Sequence, residues 1–247
     1  MRPRPLLPVA LLALAAPSAR AQPTEPVLVV RSAPDHGVIL ADVSLPALES
    51  AAIGRFAGPI RIDAAATADG AAVPAQVVLL QDGDLTRDGA PATVALRLPR
   101  GGDHSVKLAL TARPAGKASP LAGPVRTPWI AATHDPAKMG GLPSRIEFLK
   151  TGKVFENFTW QDRLHHRQQG GFLLRGDIKP AVETISDGPV CSGVRVQAAY
   201  SRGDERPSSR PSATYDWLYF KDAPLVLVRA AIRQQEAFAW RRQSAGA

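Results

Sequence analysis

Residues 157–169 concentrate the side chains of this chain that could do chemistry. These thirteen positions carry one indole, two adjacent imidazoles, two guanidiniums, one carboxylate and several amides. An unperturbed imidazole titrates near neutral pH, so His165 or His166 is suited to proton transfer as a general acid or base. A buried core does not need so many polar groups in one place. The stretch is therefore the best lead to function.

The charged residues beside these histidines fit a ligand that carries an acidic group. Asp162 lies three or four residues before the imidazoles and could orient one of them. Arg163 and Arg167 could hold the carboxylate of a uronic acid in a bidentate manner. The alternative is a polar loop folded over a sheet, in which these groups bond to one another and to the backbone. The sequence leaves both interpretations open.

Metal binding is not predicted at these histidines. Neighbours on an extended strand point to opposite faces, so His165 and His166 cannot share one metal there. The patterns H-x-x-x-H and C-x-x-C are absent, as are phosphate-binding and dinucleotide-binding glycine loops. We expect no metal and no other cofactor. The one faint candidate for calcium is the turn with Asp82 and Asp84.

A row of aromatic residues on one predicted strand adds a second candidate surface. Tyr215, Trp217 and Tyr219 alternate with Asp216 and Leu218, so the three rings share one strand face. The rings either pack into a core or form a platform on which a sugar stacks. On the ligand interpretation, the catalytic residues are His165 and His166, and the substrate-binding residues are Trp160, Asp162, Arg163, Arg167, Gln168, Tyr215, Trp217 and Tyr219.

The first 21 residues have the pattern of a secretory signal peptide. Arg2 and Arg4 form a positive segment, residues 6–16 form a short apolar run, and residues 19–21 have the small-x-small pattern of a cleavage site. The apolar run is too short to span a bilayer, and no later run approaches the length of a transmembrane helix. We therefore expect an exported protein, periplasmic or secreted, without a membrane span.

The net charge limits the classes of partner that this protein is expected to bind. The net charge of +8 is spread along the chain without a run of five like charges, so nucleic acid is not an expected partner. The positive charge fits either a soluble surface rich in arginine or a protein that binds an anionic ligand such as an acidic polysaccharide.

Cys191 is the single cysteine and cannot form an internal disulfide. Its apolar strand context predicts a buried structural thiol.

Short strands separated by turns predict an all-β chain with two parts. Residues 22–112 have the strand spacing of a β-sandwich, with one weak helical pattern at 47–53. Residues 113–128 are rich in Pro, Gly and Ala and predict a linker. Residues 129–247 return to antiparallel strands and include a long hairpin at 213–235, with its turn at 221–224.

Four segments of the second part resemble a known family. They are 143–148 (PSRIEF), 160–166 (WQDRLHH), 185–190 (ISDGPV) and 215–220 (YDWLYF). They resemble the galactose-mutarotase-like β-supersandwich domains of exported bacterial polysaccharide lyases and related carbohydrate-active proteins. Such domains need well over 200 residues, whereas about 110 follow the linker here. The resemblance therefore implies an incomplete supersandwich domain and a truncated chain.

Three classes of function follow from these patterns. The first is an exported protein of polysaccharide processing, with β-elimination or another acid–base step as its chemistry if it is active. The second is a non-catalytic carbohydrate-binding module, which needs the aromatic residues but not the histidines. The third is a structural or partner-binding protein of the cell envelope that pairs through an exposed strand edge.

Overall fold

The computed structural model describes residues 27–31, 33–45, 60–80, 90–114 and 119–236. The protein is all-β, with several antiparallel sheets and no helix of seven or more residues in the described part. Three predictions lie outside the described residues: the signal peptide at 1–21, the helical pattern at 47–53 and the Asp82/Asp84 turn. No helix among the described residues is long and apolar enough to cross a membrane.

The chain divides into two compact units, Met1–Lys117 with Gly188–Cys191, and Ala118–Asp187 with Ser192–Ala247. The division falls inside the Pro/Gly-rich stretch 113–128, for which the sequence predicts a linker. That stretch is not free of sheet structure, because it contributes strand residues to both units.

The strands of the first unit are β1 (Val27–Val30), β2 (Val38–Leu45), β3 (Ile60–Ala68), β4 (Ala71–Val73), β5 (Ala75–Leu80), β6 (Ala90–Arg97) and β7 (His104–Pro114).

The first unit contains two antiparallel sheets whose apolar residues form one core. One sheet has the order β1-β7-β3-β4 and the other the order β2-β6-β5. The central strands supply the most deeply buried side chains, Val94 and Leu96 from β6 and Val106 and Leu108 from β7. Their alternation with exposed residues along β7 is what a strand with one core-facing side requires.

The segment Gly188–Cys191 groups with the first unit, where Gln76 holds it. The buried Gln76 side chain donates to the carbonyl of Cys191, 3.0 Å away, and its Oε1 accepts the N–H groups of Val190 and Cys191. These bonds satisfy an amide in the interior, which is costly to leave unpaired. Cys191 is buried and in no disulfide. The predicted burial of this thiol is confirmed.

The second unit has eleven strands and two short 3-10 turns among its described residues. The turns are Met139–Gly141 and Leu174–Gly176. The strands are β8 (Ser119–Pro120), β9 (Val125–Arg126), β10 (Ile130–His134), β11 (Pro143–Phe148), β12 (Lys153–Phe155), β13 (Arg163–His166), β14 (Gly170–Leu173), β15 (Ala181–Asp187), β16 (Cys191–Ala199), β17 (Ser212–Phe220) and β18 (Val226–Arg233).

These strands form a five-stranded sheet, a four-stranded sheet and a two-stranded ribbon. Their orders are β18-β17-β16-β15-β8, β12-β11-β10-β9 and β13-β14. All three contribute to one core, for example through Val194 of β16, Ala132 of β10 and Leu164 of β13. The long hairpin predicted at 213–235 is confirmed as the antiparallel pair β17–β18.

One predicted strand of this unit is too long. The sequence predicts a strand from residue 154 to residue 160, but β12 ends at Phe155. The four-residue connection from Leu149 to Gly152 fixes the register of β12 on β11, in which Phe155 lies opposite Ile146. Beyond that point the chain leaves the sheet. The polar run of residues 157–169 therefore begins as a connection and becomes strand only at Arg163.

Candidate functional site

Residues 160–169 lead into and form part of the β13–β14 hairpin. Arg163 pairs with Leu173 and His165 with Gly171 in an antiparallel register. Leu164 is buried in the core of the second unit. Because side chains alternate along a strand, Arg163 and His165 share the outward face of the ribbon. The register thus divides the polar run into an inward half and an outward half.

Asp162 belongs to the inward half, and its partners are tyrosines. Its carboxylate accepts the hydroxyl of Tyr200, 3.0 Å from both oxygens, and the hydroxyl of Tyr215 at 2.5 Å. Burial of the two phenols, together with the nearby carboxylate, raises their pKa values. The interpretation that Asp162 orients a histidine ring is therefore corrected. The carboxylate instead fixes two strands, β16 and β17, to the start of the hairpin.

Trp160 also points inward. Its indole Nε1 donates to the carbonyl of Pro143 at 2.8 Å. The half-buried ring makes edge contacts with Phe158 and with Trp217, with centroid distances of 5.6 Å and 5.7 Å. Both the polar edge and much of the face of this ring are thus engaged within the protein. A tryptophan used in this way anchors the connection between β12 and β13 to the core.

The two histidines have different surroundings. His166 Nδ1 accepts the backbone N–H groups of Gln168 and Gln169, at 3.2 Å and 2.9 Å, so the ring closes the hairpin turn. A nitrogen that accepts two N–H groups carries no proton itself, which places the proton of the neutral ring on Nε2. The half-buried His165 ring lies over Gly171, where an added Cβ would be 3.1 Å from its Cε1. The imidazoles diverge, as the sequence predicts for neighbours on a strand.

No group of three or more His, Cys, Asp or Glu side chains that could hold a metal ion occurs among the described residues. His165 and His166 therefore share no third donor of these types in this part of the chain. The described hairpin presents imidazole, guanidinium and amide groups, which suit hydrogen bonding to an anionic or hydroxyl-rich ligand.

The aromatic row on β17 lies in the core. Trp217 and Tyr219 are buried, and Tyr215 is half-buried against the same cluster. Tyr219 and Trp217 stack with centroids 6.4 Å apart. A sugar could not reach the faces of the two buried rings, so the platform interpretation is withdrawn for Trp217 and Tyr219. Trp217 and Tyr219 instead pack into the core, as the alternative interpretation of the aromatic row predicts.

Sequence reasoning missed a buried histidine in this core. His134, at the end of β10, bonds through Nδ1 to the carbonyl of Gly141 at 3.0 Å and through Nε2 to the hydroxyl of Tyr219 at 2.7 Å. Because a carbonyl only accepts, Nδ1 is the donor and Nε2 accepts the phenol. Burial lowers the pKa of His134 to about 4. Its sequence context, an isolated His after Ile-Ala-Ala-Thr, gave no signal of this network.

Exposed arginines lie on the outside of the hairpin, in the 3-10 turn Leu174–Gly176 that follows it and in the loop 201–210. The hairpin turn contacts that loop, because Arg202 donates to the Gln169 carbonyl and the N–H of Ser208 approaches the Gln169 side chain at 3.4 Å. We call this set of side chains the arginine surface. Its members are Arg163, Arg167, Arg175, Arg202, Arg206 and Arg210, all exposed.

Few carboxylates offset the arginine surface. Glu205 is bound by Arg202, and the buried Asp177 lies 4.0 Å from Arg206. Among the described residues, Arg163 and Arg167 have no ion-pair partner. Gln168, beside Arg167 in the turn, is also exposed. Of the residues predicted to bind ligand, the structure thus brings Arg163, Arg167 and Gln168 together on the outside of one hairpin.

Comparison with protein-family models, with curated proteins and with solved structures found no match for this chain. The resemblance to galactose-mutarotase-like domains therefore stays a prediction from the four segments that carry it.

Proposed function

We propose that this protein binds an acidic polysaccharide through the arginine surface and does not convert it. The observation that carries the proposal is the presence of exposed guanidiniums on the β13–β14 hairpin that have no carboxylate partner in the described chain. A guanidinium presents a planar fork of donors that matches a carboxylate. A polymer of uronic acids offers such carboxylates at regular intervals, so several arginines can bind one chain at the same time.

Binding without turnover is favoured by the use of the neighbouring groups. The Asp162 carboxylate receives two tyrosine hydroxyls, and His166 Nδ1 receives two backbone N–H groups. Neither arrangement resembles an acid–base pair aimed at a substrate, which needs hydrogen-bond reach to the proton transferred. His165 faces outward beside Arg163 and is the remaining candidate for proton transfer. Because His165 is available for proton transfer, a lyase that acts by β-elimination is the second candidate function.

The binding proposal is tested with polygalacturonate and neutral dextran, by calorimetry or affinity electrophoresis. We expect binding of polygalacturonate but not of dextran, with affinity that falls as salt screens the charges. The double substitution Arg163→Ala/Arg167→Ala should weaken binding about tenfold or more, since about 1.4 kcal/mol corresponds to a factor of ten. The matched control, Arg100→Ala/Arg126→Ala, removes two exposed arginines elsewhere and should retain the affinity. Equal losses in both variants would refute a specific site.

Turnover is examined on the same polymer by the ultraviolet absorbance of unsaturated products. The proposal expects none from the wild-type protein and unchanged affinity in His165→Gln. Product formation that disappears in His165→Gln, with binding retained, would establish the enzyme instead. If neither binding nor turnover occurs, the carbohydrate proposal is wrong as a whole.

A further inference from the structure

The β11–β12 hairpin carries an apolar surface that the carbohydrate proposal does not use. Phe148 and Phe155 are 43% and 52% exposed. Large apolar side chains exposed together mark interaction sites more often than single ones do. The rings of Phe148 and Phe155 are in edge contact, with centroids 5.7 Å apart. We call the residues 146–155 the hairpin tip.

The register sorts the hairpin tip into an apolar face and a charged face. Phe155 lies opposite Ile146, and Phe148 lies opposite Lys153, so both rings are on one face. On the other face, Arg145 binds Glu147 at 2.8 Å and Glu156 at 3.3 Å. Both carboxylates of the hairpin are therefore paired and turned away from the phenylalanines.

The turn between the two strands adds positive charge. Lys150 and Lys153 are exposed on either side of Gly152, whose φ of 66° fits the left-handed region that a glycine adopts easily. The Lys150 ammonium lies 5.2 Å from the centre of the Trp129 ring, which holds it near the aromatic side chains. The hairpin tip thus combines two aromatic rings with two cations that no carboxylate of the hairpin offsets, and Trp129 lies beside one of these cations.

We propose that the hairpin tip docks on an anionic lipid surface, with Phe148 and Phe155 in the boundary between headgroups and acyl chains. Aromatic side chains insert at that depth, and lysines beside them remain at the level of the phosphates. The charge complementarity is direct, because each lysine near an anionic membrane surface contributes about 1 kcal/mol of attraction. A stable protein partner would need about 800 Å² of matched surface, far more than these two side chains supply.

The proposal is tested by sedimentation of the full chain with vesicles. Vesicles of phosphatidylcholine with phosphatidylglycerol should bind the protein, whereas phosphatidylcholine alone should bind it weakly. Lys150→Gln/Lys153→Gln should reduce the partition constant about 30-fold, from two lysines at about 1 kcal/mol each. Phe155→Ser should reduce it about tenfold through the lost apolar contact. Ile232→Ser is the matched control, since Ile232 is 50% exposed on β18.

A loss confined to the hairpin-tip variants, with Ile232→Ser unchanged, supports the proposal. An equal loss in Ile232→Ser, or equal binding to neutral and anionic vesicles, overturns it. Arg163→Ala/Arg167→Ala should keep vesicle binding, so failure of carbohydrate binding leaves this result unaffected. An equal loss in that arginine variant means general attraction by the basic chain and refutes docking through the tip. A dimer in sedimentation that Phe155→Ser dissociates assigns the surface to a second copy and also refutes it.

Discussion

At the scale of single residues, the polar groups of this protein are mostly used to hold its own strands. Asp162, His166 and Trp160 were predicted to meet a ligand, and each has partners within the chain. His134, which the sequence did not single out, forms a buried polar contact with Tyr219. Residue type and spacing predicted that these groups would hydrogen-bond. They did not predict which residues would be the hydrogen-bond partners.

Asp162→Asn should destabilise the protein. The two tyrosine hydroxyls would lose a charged acceptor, at a cost of about 1–3 kcal/mol in the free energy of unfolding. Chemical denaturation at neutral pH measures this change in the free energy of unfolding. Asp204→Asn, at an exposed position in the loop 201–210, is the control and should leave the midpoint unchanged. A neutral effect of Asp162→Asn would mean that Tyr200 and Tyr215 are satisfied without the carboxylate.

His134 should make the protein sensitive to mild acid. Its folded pKa of about 4 lies below the ordinary value of 6.5 because burial disfavours the imidazolium. The unfolded chain takes up a proton below pH 6.5 and the folded chain does not, so the stabilisation is complete above 6.5 and is lost as the pH falls. Between pH 6.5 and 4 the loss is about 3 kcal/mol.

Denaturation midpoints across that interval test the role of His134. The variant His134→Gln should flatten the pH dependence even if it lowers stability overall. The control His36→Gln, at an exposed position, should keep the wild-type slope. An unchanged slope in His134→Gln would assign the acid sensitivity to other groups.

At the scale of elements, the registers of two hairpins decide which of their side chains are exposed. The β13–β14 hairpin presents Arg163 and His165 because its register buries Leu164. The β11–β12 hairpin presents Phe148 and Phe155 because its register turns Glu147 to the other face. A shift of one residue in either register would exchange these faces. The periodicity of the sequence predicted strands in both regions, but β12 ends at Phe155, before the predicted end at Trp160.

At the scale of the whole molecule, the two units carry histidines whose pKa values move in opposite directions. In the first unit, His104 bonds to Asp69 at 2.8 Å and to the Gly101 carbonyl at 3.1 Å. The hydrogen bond to the Asp69 carboxylate raises the pKa of His104. A raised pKa means that the stabilisation is present below pH 6.5 and is lost as the pH rises through the folded value.

The two units should therefore respond differently to pH. From pH 7.5 to 5, the strands around His134 should lose protection from amide hydrogen exchange, while those around His104 keep or gain it. Exchange followed by mass spectrometry on peptides from β10 and β7 measures this, after correction for the intrinsic rate at each pH. Asp69→Asn should remove the response near His104 and leave the one near His134. A uniform response of both units would contradict the assignment.

The amino-acid pattern was enough to predict the all-β class and the position of the long hairpin at 213–235. It also determined the burial of Cys191 and the divergence of His165 and His166. These depend on periodicity and turn residues within a few positions, which are local properties. Contacts between distant segments bring Tyr215 and Tyr200 to Asp162, Tyr219 to His134, and the β13–β14 turn to the loop 201–210. Those contacts join residues 33 to 85 positions apart. Distant pairings are set by how the sheets register and pack, and no local pattern encodes them.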